Sequence, residues 1–308
     1  MGTPTFALPS LRALYDAGHE ICLVVTHPDR PAGRGQRVTP PPVKLAAQEL
    51  MLPVLQAEKV REPSVVAALR ESRPEAIVVV AYGQLLPESI LALPPHGCLN
   101  LHASLLPKYR GAAPIPWAII REEQMTGVTI MRIESRIDAG PVLLQQEEPI
   151  RPRDTTGTLG DRLAVLGAEL LCRAIDQMAR GVASLISQDE RLATYAPKLR
   201  PEDTHLEWAQ TARTLDALIR GLMPAPGAVT RFGGLSIKVL EAVADEGTEA
   251  AADTPPGTVL AIDRDNGMVV STGKGGLRLS RVQPANRRVM DAVEFARGYR
   301  VRPGDAFG

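Results

Sequence analysis

The sequence predicts a doubly wound, mostly parallel α/β sheet over residues 1–185 and a small antiparallel barrel over residues 208–308, joined by a linker at 186–207. Three observations predict this. Short apolar runs alternate with helical patterns through the first half. One of those runs, AIVVVA at 76–81, is continuous and β-branched, as an inner parallel strand covered on both faces requires. Past residue 228 the pattern changes to short strands punctuated by turn signals, with GG at 233, PPG at 255, DNG at 265 and GKGG at 273.

Each element follows from local chemistry. Residues 11–17 continue a helical pattern that Gly18 ends. Residues 21–25 are a buried strand. Pro41 and Pro42 suit the start of a helix over 42–50, because a first-turn N–H has no helical partner to lose. Residues 98–101 and 128–132 are two further strands. Asp154 or Thr155 can cap a long helix in which Leu159, Leu163, Leu166, Leu170 and Ile175 recur, and Gly181 stops it. The polar stretch beginning SQDERLATY, with Pro197 and Pro201, reads as the linker. A helix at 212–222 follows and ends at MPAPG. Leu277, Leu279 and Val282 supply a half-buried strand of the barrel.

Composition sets outer bounds. A chain of 308 residues has room for two cores. The net charge of zero carries no overall polyanion signature, although a local one is still open. Cys22, Cys98 and Cys172 are too scattered for a metal knuckle, a redox pair or a disulfide framework. No stretch is long and apolar enough to cross a bilayer, and the first residues lack a signal-peptide pattern, so the cytoplasm is the expected location.

The chemistry concentrates at LNLH, 99–102. On a strand, residues two apart face one side, so the Asn100 amide and the His102 imidazole point together. Asp138, in ESRIDAGPVL, adds a carboxylate. Its Asp-Ala-Gly context is also ordinary turn chemistry, and both readings stand on spacing alone. An amide to hold an oxygen, an imidazole and a carboxylate suit acyl-type transfer or hydrolysis by acid–base catalysis. His19, His27, His96 and His205 lack this setting. His96 and His102 make a weak metal site without an acidic or cysteine ligand at suitable spacing, so no metal is expected.

Two basic regions suggest a polyanionic partner. The loop at 26–44 sets Arg30, Arg34, Arg37 and Lys44 against Asp29, and it is longer than an ordinary strand-to-helix connection. Residues 274–302 hold eight basic residues and two acidic ones. Aromatic interleaving there is limited to Phe295 and Tyr299, which favours phosphate contacts over base stacking. The opening GTPTFALPSL is not G-x-G-x-x-G, so a dinucleotide site is disfavoured.

At these residues the chain resembles the methionyl-tRNA formyltransferase family. The matching strings are GTPTFALPSL, HPDRPAGRG, VVVAYGQLLP, LNLHASLLPKYRGAAPI, GVTIMRIESRIDAGPVL, TYAPKLRPED and MPAPGA. They run almost end to end. SLLPKYRGAAPI with the later DAG is shared by the wider group of enzymes that use 10-formyltetrahydrofolate. The resemblance implies a Rossmann-like formyltransferase domain followed by an OB-like barrel. It implies 10-formyltetrahydrofolate as co-substrate, initiator methionyl-tRNA as acceptor, and a monomer. The family's catalytic asparagine, histidine and aspartate fall on Asn100, His102 and Asp138, with Asn100 and protonated His102 donating to the formyl oxygen and Asp138 tuning His102 or relaying protons. Ser104, Leu105, Leu106 and Pro107 would contact the folate, and Tyr82 and Gly83 would line its pterin pocket. The family's tRNA-reading arginine falls on Arg34, with Arg30 and Arg37 beside it. The family carries a short apolar strand ahead of GTP, whereas here Met1-Gly2 opens the chain. The resemblance therefore implies a start placed at an internal methionine and an unpaired edge beside AIVVVA. Alternative readings are another folate-dependent formyltransferase, a hydrolase that releases formate, and a non-enzymatic RNA-binding protein.

Overall fold

The computed structural model describes residues 1–32, 35, 37–245, 247–248, 251, 253–265 and 267–308. Two compact units partition the chain. The first comprises Met1–Pro114, Met125–Pro149 and Gly160–Pro197; the second comprises Ile115–Gln124, Ile150–Leu159 and Lys198–Gly308. The units interleave in sequence, unlike the contiguous segments expected. The stretch read as a linker divides at Pro197, and everything before that point packs with the first unit.

The chain enters the first unit through α1 (Leu8–Asp16), which ends where Gly18 turns left-handed at φ 79°. There follow β1 (Val24–Thr26), β2 (Arg30–Ala32), β3 (Arg37–Thr39), α2 (Pro42–Glu49), β4 (Val54–Gln56), α3 (Pro63–Glu71), β5 (Ile77–Val80), α4 (Glu88–Leu91) and β6 (Cys98–His102). Proline occupies the first turn of α1, α2 and α3, where it costs no helical hydrogen bond. Next come α5 (Pro114–Ile120), β7 (Met125–Arg132), β8 (Val142–Pro149) and α6 (Thr156–Ala179). Thr155 caps α6 as expected, its Oγ1 accepting the Thr158 N–H at 3.2 Å.

The strands fall into ladders of two kinds. β1 pairs with β4 in parallel, and β5 pairs with β6 in parallel. β6–β7 and β7–β8 are antiparallel, and β2–β3 is a separate hairpin. Val25, Val65, Leu69, Ile77, Val79, Ile90 and Cys98 form the core beneath the parallel strands. Gly2 bridges β1 and β5: its N–H donates to Val25 at 3.1 Å, and Met1 accepts from Val80 at 2.9 Å. A cavity of about 500 Å³ adjoins these two residues, lined by Leu14, Val24, Ile77, Val78 and Ile175 among others. The edge expected beside AIVVVA is therefore spanned by Met1 and Gly2 with open apolar space next to them. Asn100, His102 and Asp138 do not line that cavity.

In the second unit, α7 (Ala212–Gly221) starts at Thr211, whose side chain accepts from the Thr214 N–H. The remaining elements are β9 (Ala228–Phe232), β10 (Leu235–Asp245), β11 (Val259–Asp263), β12 (Gly267–Ser271), β13 (Gly276–Pro284), β14 (Met290–Asp291) and α8 (Ala292–Tyr299). They form one antiparallel sheet in the order β11-β12-β13-β10-β9, with β14 on β13. Residues 304–308 join its two ends. Val259 donates to Asp305 at 2.7 Å, Phe307 to Gly257 at 2.8 Å, and Gly308 to Arg231 at 3.0 Å. This seam satisfies edge groups that an open sheet would leave bare. The barrel interior holds Trp208, Leu215, Ile237, Val239, Leu277, Leu279 and Phe295. Phe295 is fully buried in this core, whereas Tyr299, with its ring 4.7 Å away, is exposed.

Candidate active site

The site begins with β6, whose burial pattern leaves Asn100 alone partly accessible. Leu101 packs on α6, where Gly167 admits it: a Cβ on Gly167 would meet Leu101 at 2.5 Å. Asn100 and His102 share the other face, as the alternation requires. The Asn100 amide makes no hydrogen bond to any described residue, so its donor stands free. His102 is 5% exposed.

The imidazole is engaged at both nitrogens. Nε2 lies 2.9 Å from the Tyr109 carbonyl, and Nδ1 lies 3.6 Å from Asp138 Oδ2. A carbonyl can only accept, so Nε2 carries a proton in this arrangement. In the neutral ring Nδ1 then holds the lone pair that faces the carboxylate. A proton gained at Nδ1 turns this 3.6 Å contact into an ion pair. In this arrangement the Nε2–H of His102 is turned to the Tyr109 carbonyl. Asn100 is the donor left open.

Asp138 arrives by a route that strand order did not foretell. β7 is antiparallel to β6, with Arg132 level with Leu99 and Thr129 level with His102. The rule that ligands gather at carboxyl ends of parallel strands therefore does not place Asp138. The loop 133–141 brings it to His102 instead, and the Gly111 N–H fixes Oδ2 at 2.8 Å. Two non-glycine residues at the site are left-handed, Tyr109 at φ 61° and Asp138 at φ 48°. Such a conformation costs about 1–3 kcal/mol and persists where surrounding bonds over-determine it. Those bonds are present. Tyr109 N–H donates to Thr194 Oγ1 at 2.9 Å, and the Asp138 carbonyl accepts from Gln188 Nε2 at 2.9 Å.

The SLLP loop is braced from beneath. Thr129 Oγ1 donates to the Ser104 carbonyl at 2.6 Å and accepts from Leu106 N–H at 3.2 Å. Gln145 Nε2 donates to the Leu106 carbonyl at 2.8 Å and to Thr129 Oγ1 at 2.9 Å. Ser104 is fully buried, its hydroxyl donating to the Lys108 carbonyl, and Leu106 packs with Met131 and Val142. Leu105 and Pro107 are half-buried and are the members of this loop left to meet a ligand. Tyr82 is 2% exposed in the core, stacks on His27 at 5.3 Å and has a buried hydroxyl without a hydrogen-bond partner. Burial pushes its phenol pKa up. Gly83 next to it is exposed with φ 80°.

Among the arginines, Arg30 sits on β2 and pairs with Glu58 at 2.8 Å, while Arg37 is exposed on β3. Arg34 lies outside the described residues. Lys44 is held by Asp29 at 2.8 Å, and Asp29 also accepts from Gln56 at 2.7 Å, which tethers the hairpin's base. Sequence reasoning missed Arg110, Gln188 and Glu190. Arg110 is 1% exposed and binds Glu190 through both terminal nitrogens at 3.0 and 3.1 Å. The guanidinium hydrogen bonds, with that of Arg136, hold the Glu190 carboxyl down at about 2. A buried arginine in YRG is a signal visible only once its partners are known.

The comparisons fit this geometry. The model described as formyl transferase matches residues 1–175, and that of the formyl transferase C-terminal domain matches 198–300. The methionyl-tRNA formyltransferase of Geobacter metallireducens is 44% identical over 308 residues, covering 100% of this chain and 97% of its own length. That of Moorella thermoacetica is 46% identical, with 100% and 98% covered. Among solved structures, WlaRD, a sugar 3N-formyltransferase determined with dTDP and 5-N-formyl-THF, aligns at TM-score 0.64 and 18% identity over 93% of this chain and 97% of that one. HypX from Aquifex aeolicus in complex with tetrahydrofolic acid aligns at TM-score 0.61 and 19% identity over 81% of this chain and 43% of that one. These two likenesses speak to the fold. With its two halves matched in order by the two formyl transferase models, and its whole length by enzymes of that activity, the chain belongs to the formyl transferase family.

Proposed function

We propose that this chain transfers a formyl group from 10-formyltetrahydrofolate to the α-amino group of methionine on initiator methionyl-tRNA. The observation that carries the reading is the cluster of a free amide, an engaged imidazole and a carboxylate beside the braced SLLP loop. Full-length identity to methionyl-tRNA formyltransferases supports the choice of acceptor. When bound, the folate supplies an electrophilic formyl carbon, and Leu105 and Pro107 suit contact with its apolar faces.

The residues divide the work. Asn100 donates to the formyl oxygen, which gains negative charge as the amine adds; a preorganised donor of this kind is a large term in acyl transfer. His102 Nδ1 accepts the proton that the amine must lose, and Asp138 stabilises the imidazolium so formed. The Tyr109 carbonyl accepts from Nε2–H and so keeps the ring in the tautomer whose Nδ1 is unprotonated. The folate N10 needs a proton to depart, and the His102–Asp138 pair can return the one it took.

The acceptor is read away from this cluster. Arg34, which lies between Arg30 and Arg37 in sequence, engages the acceptor end of the tRNA, and the barrel's basic residues hold phosphates. The chain acts as a monomer in the cytoplasm, where charged tRNA is found. Among the described residues no helix is long and apolar enough to cross a membrane. The test is incubation of the purified chain with 10-formyltetrahydrofolate carrying a labelled formyl group and charged initiator tRNA. Label in acid-precipitable formylmethionyl-tRNA is expected. Label released as formate indicates a hydrolase, and label accepted by an amino sugar indicates a sugar-directed enzyme; either contradicts the reading.

A further inference from the structure

Among the described residues, one polar network converges on the Asp138 turn. Gln188 is its hub. The Gln188 Nε2 group donates to the Asp138 carbonyl at 2.9 Å and to the Gly140 carbonyl at 2.7 Å. Gln188 Oε1 accepts from Arg110 Nε at 3.1 Å and from its Nη2 at 2.8 Å. Arg110 in turn binds Glu190, and Glu190 reaches Arg136, two residues before Asp138, at 2.7 Å. The 133–141 loop is thus held at three points from one short segment of chain.

The chemistry of this hub is selective. One end of the side chain must accept from a guanidinium while the other donates to two carbonyls, and only an amide does both. The network also fixes which end is oxygen and which is nitrogen. A glutamate at 188 would set its carboxylate against two carbonyl oxygens, and a leucine would release both sets. Asp138 sits in the left-handed region at φ 48°, which aspartate tolerates better than most residues, and the Gln188 bonds hold it there. Arg110 contributes twice: it orients Gln188, and its neighbour Gly111 supplies the N–H that grips Asp138 Oδ2.

We propose that Gln188, backed by Arg110, is a positioning residue that fixes the 138–140 backbone so that the Asp138 carboxylate stays against His102. The proposal rests on the assignment of His102 and Asp138 to the transfer step. Misplacing a reacting group by about 1 Å can cost roughly 100-fold in rate. Gln188→Leu and Gln188→Glu should therefore lower kcat of formyl transfer by about tenfold to 100-fold. KM for folate and for tRNA should stay within about twofold, because the SLLP loop and the hairpin do not depend on this network.

The deciding experiment is a double-mutant cycle. Each Gln188 variant is measured alone and combined with Asp138→Asn, and circular dichroism confirms folding. Gln188 is only half-buried, so the variants should fold, and if one does not the other carries the same test. In the Asp138→Asn chain the Gln188 substitutions should cost nothing further, because the group they position is gone. The proposal is overturned if Gln188 variants keep full kcat, or if their loss multiplies unchanged onto that of Asp138→Asn. If Asp138→Asn itself keeps full kcat, the assignment of Asp138 fails, and the proposal with it. The two failures are thereby told apart.

Discussion

Replacing Asp138 with asparagine isolates the charge that faces His102. The two side chains are nearly isosteric, and the asparagine Oδ1 can still accept the Gly111 N–H, so the turn keeps its anchor. What disappears is the negative charge 3.6 Å from Nδ1. At an effective dielectric constant of about 20, Coulomb's law gives roughly 4–5 kcal/mol between imidazolium and carboxylate at that distance. Part of this offsets desolvation of two groups whose side chains are only 6% and 16% exposed. About 3 kcal/mol then remains, which is roughly a hundredfold in rate. The assay is single-turnover formyl transfer, read beside the folate Kd. A fall in rate of about that size with Kd unchanged is the expected result. A fall below about threefold, or an equal loss in folate affinity, refutes the proton-accepting role.

Three other perturbations test separate links. Thr129→Val removes a buried hydroxyl that serves Ser104, Leu106 and Gln145 while keeping its shape. Unsatisfied buried groups cost about 1–3 kcal/mol each, so urea unfolding should show a loss of roughly 3 kcal/mol and the folate KM should rise; an unchanged midpoint contradicts the bracing role. The Glu190 carboxyl is lowered from its ordinary 4.5 to about 2, first by Arg110 and then by Arg136. A depressed carboxyl stabilises the fold above its unfolded pKa and loses that contribution as pH falls through the folded one. Stability should thus decline between about 4.5 and about 2, and Glu190→Gln should flatten that stretch of a midpoint-versus-pH curve. Arg34→Ala should raise KM for methionyl-tRNA and leave folate binding intact; unchanged kinetics with the tRNA would remove the hairpin from the acceptor site.

Much of this site is legible in the chain because its signals are local. LNLH carries its own alternation, so Asn100 and His102 share a face in sequence and in structure. Gly18 and Gly181 punctuate helices because a left-handed residue must follow them. The remainder is written at long range. Arg110 meets Gln188 and Glu190 across 78 and 80 residues, and no periodicity links such positions. SQDERLATY reads as a linker because it is polar, yet Gln188 and Glu190 within it bind two arginines and two carbonyls of the first unit. The orientation of the His102 ring follows from the Tyr109 carbonyl, whose position depends on a left-handed residue that sequence does not announce. Barrel closure by residues 304–308 is equally silent, since FG at the end has no strand pattern.

In the proposed mechanism the unengaged amide of Asn100 holds the formyl oxygen while the charge develops. Single-turnover transfer by Asn100→Ala, with 10-formyltetrahydrofolate and methionyl-tRNA both saturating, tests it most directly. Loss of one such donor costs roughly 100- to 1,000-fold in rate in acyl transfer, and the account predicts a fall of that order with both substrates still binding normally. A rate within a few-fold of the unaltered chain would contradict it.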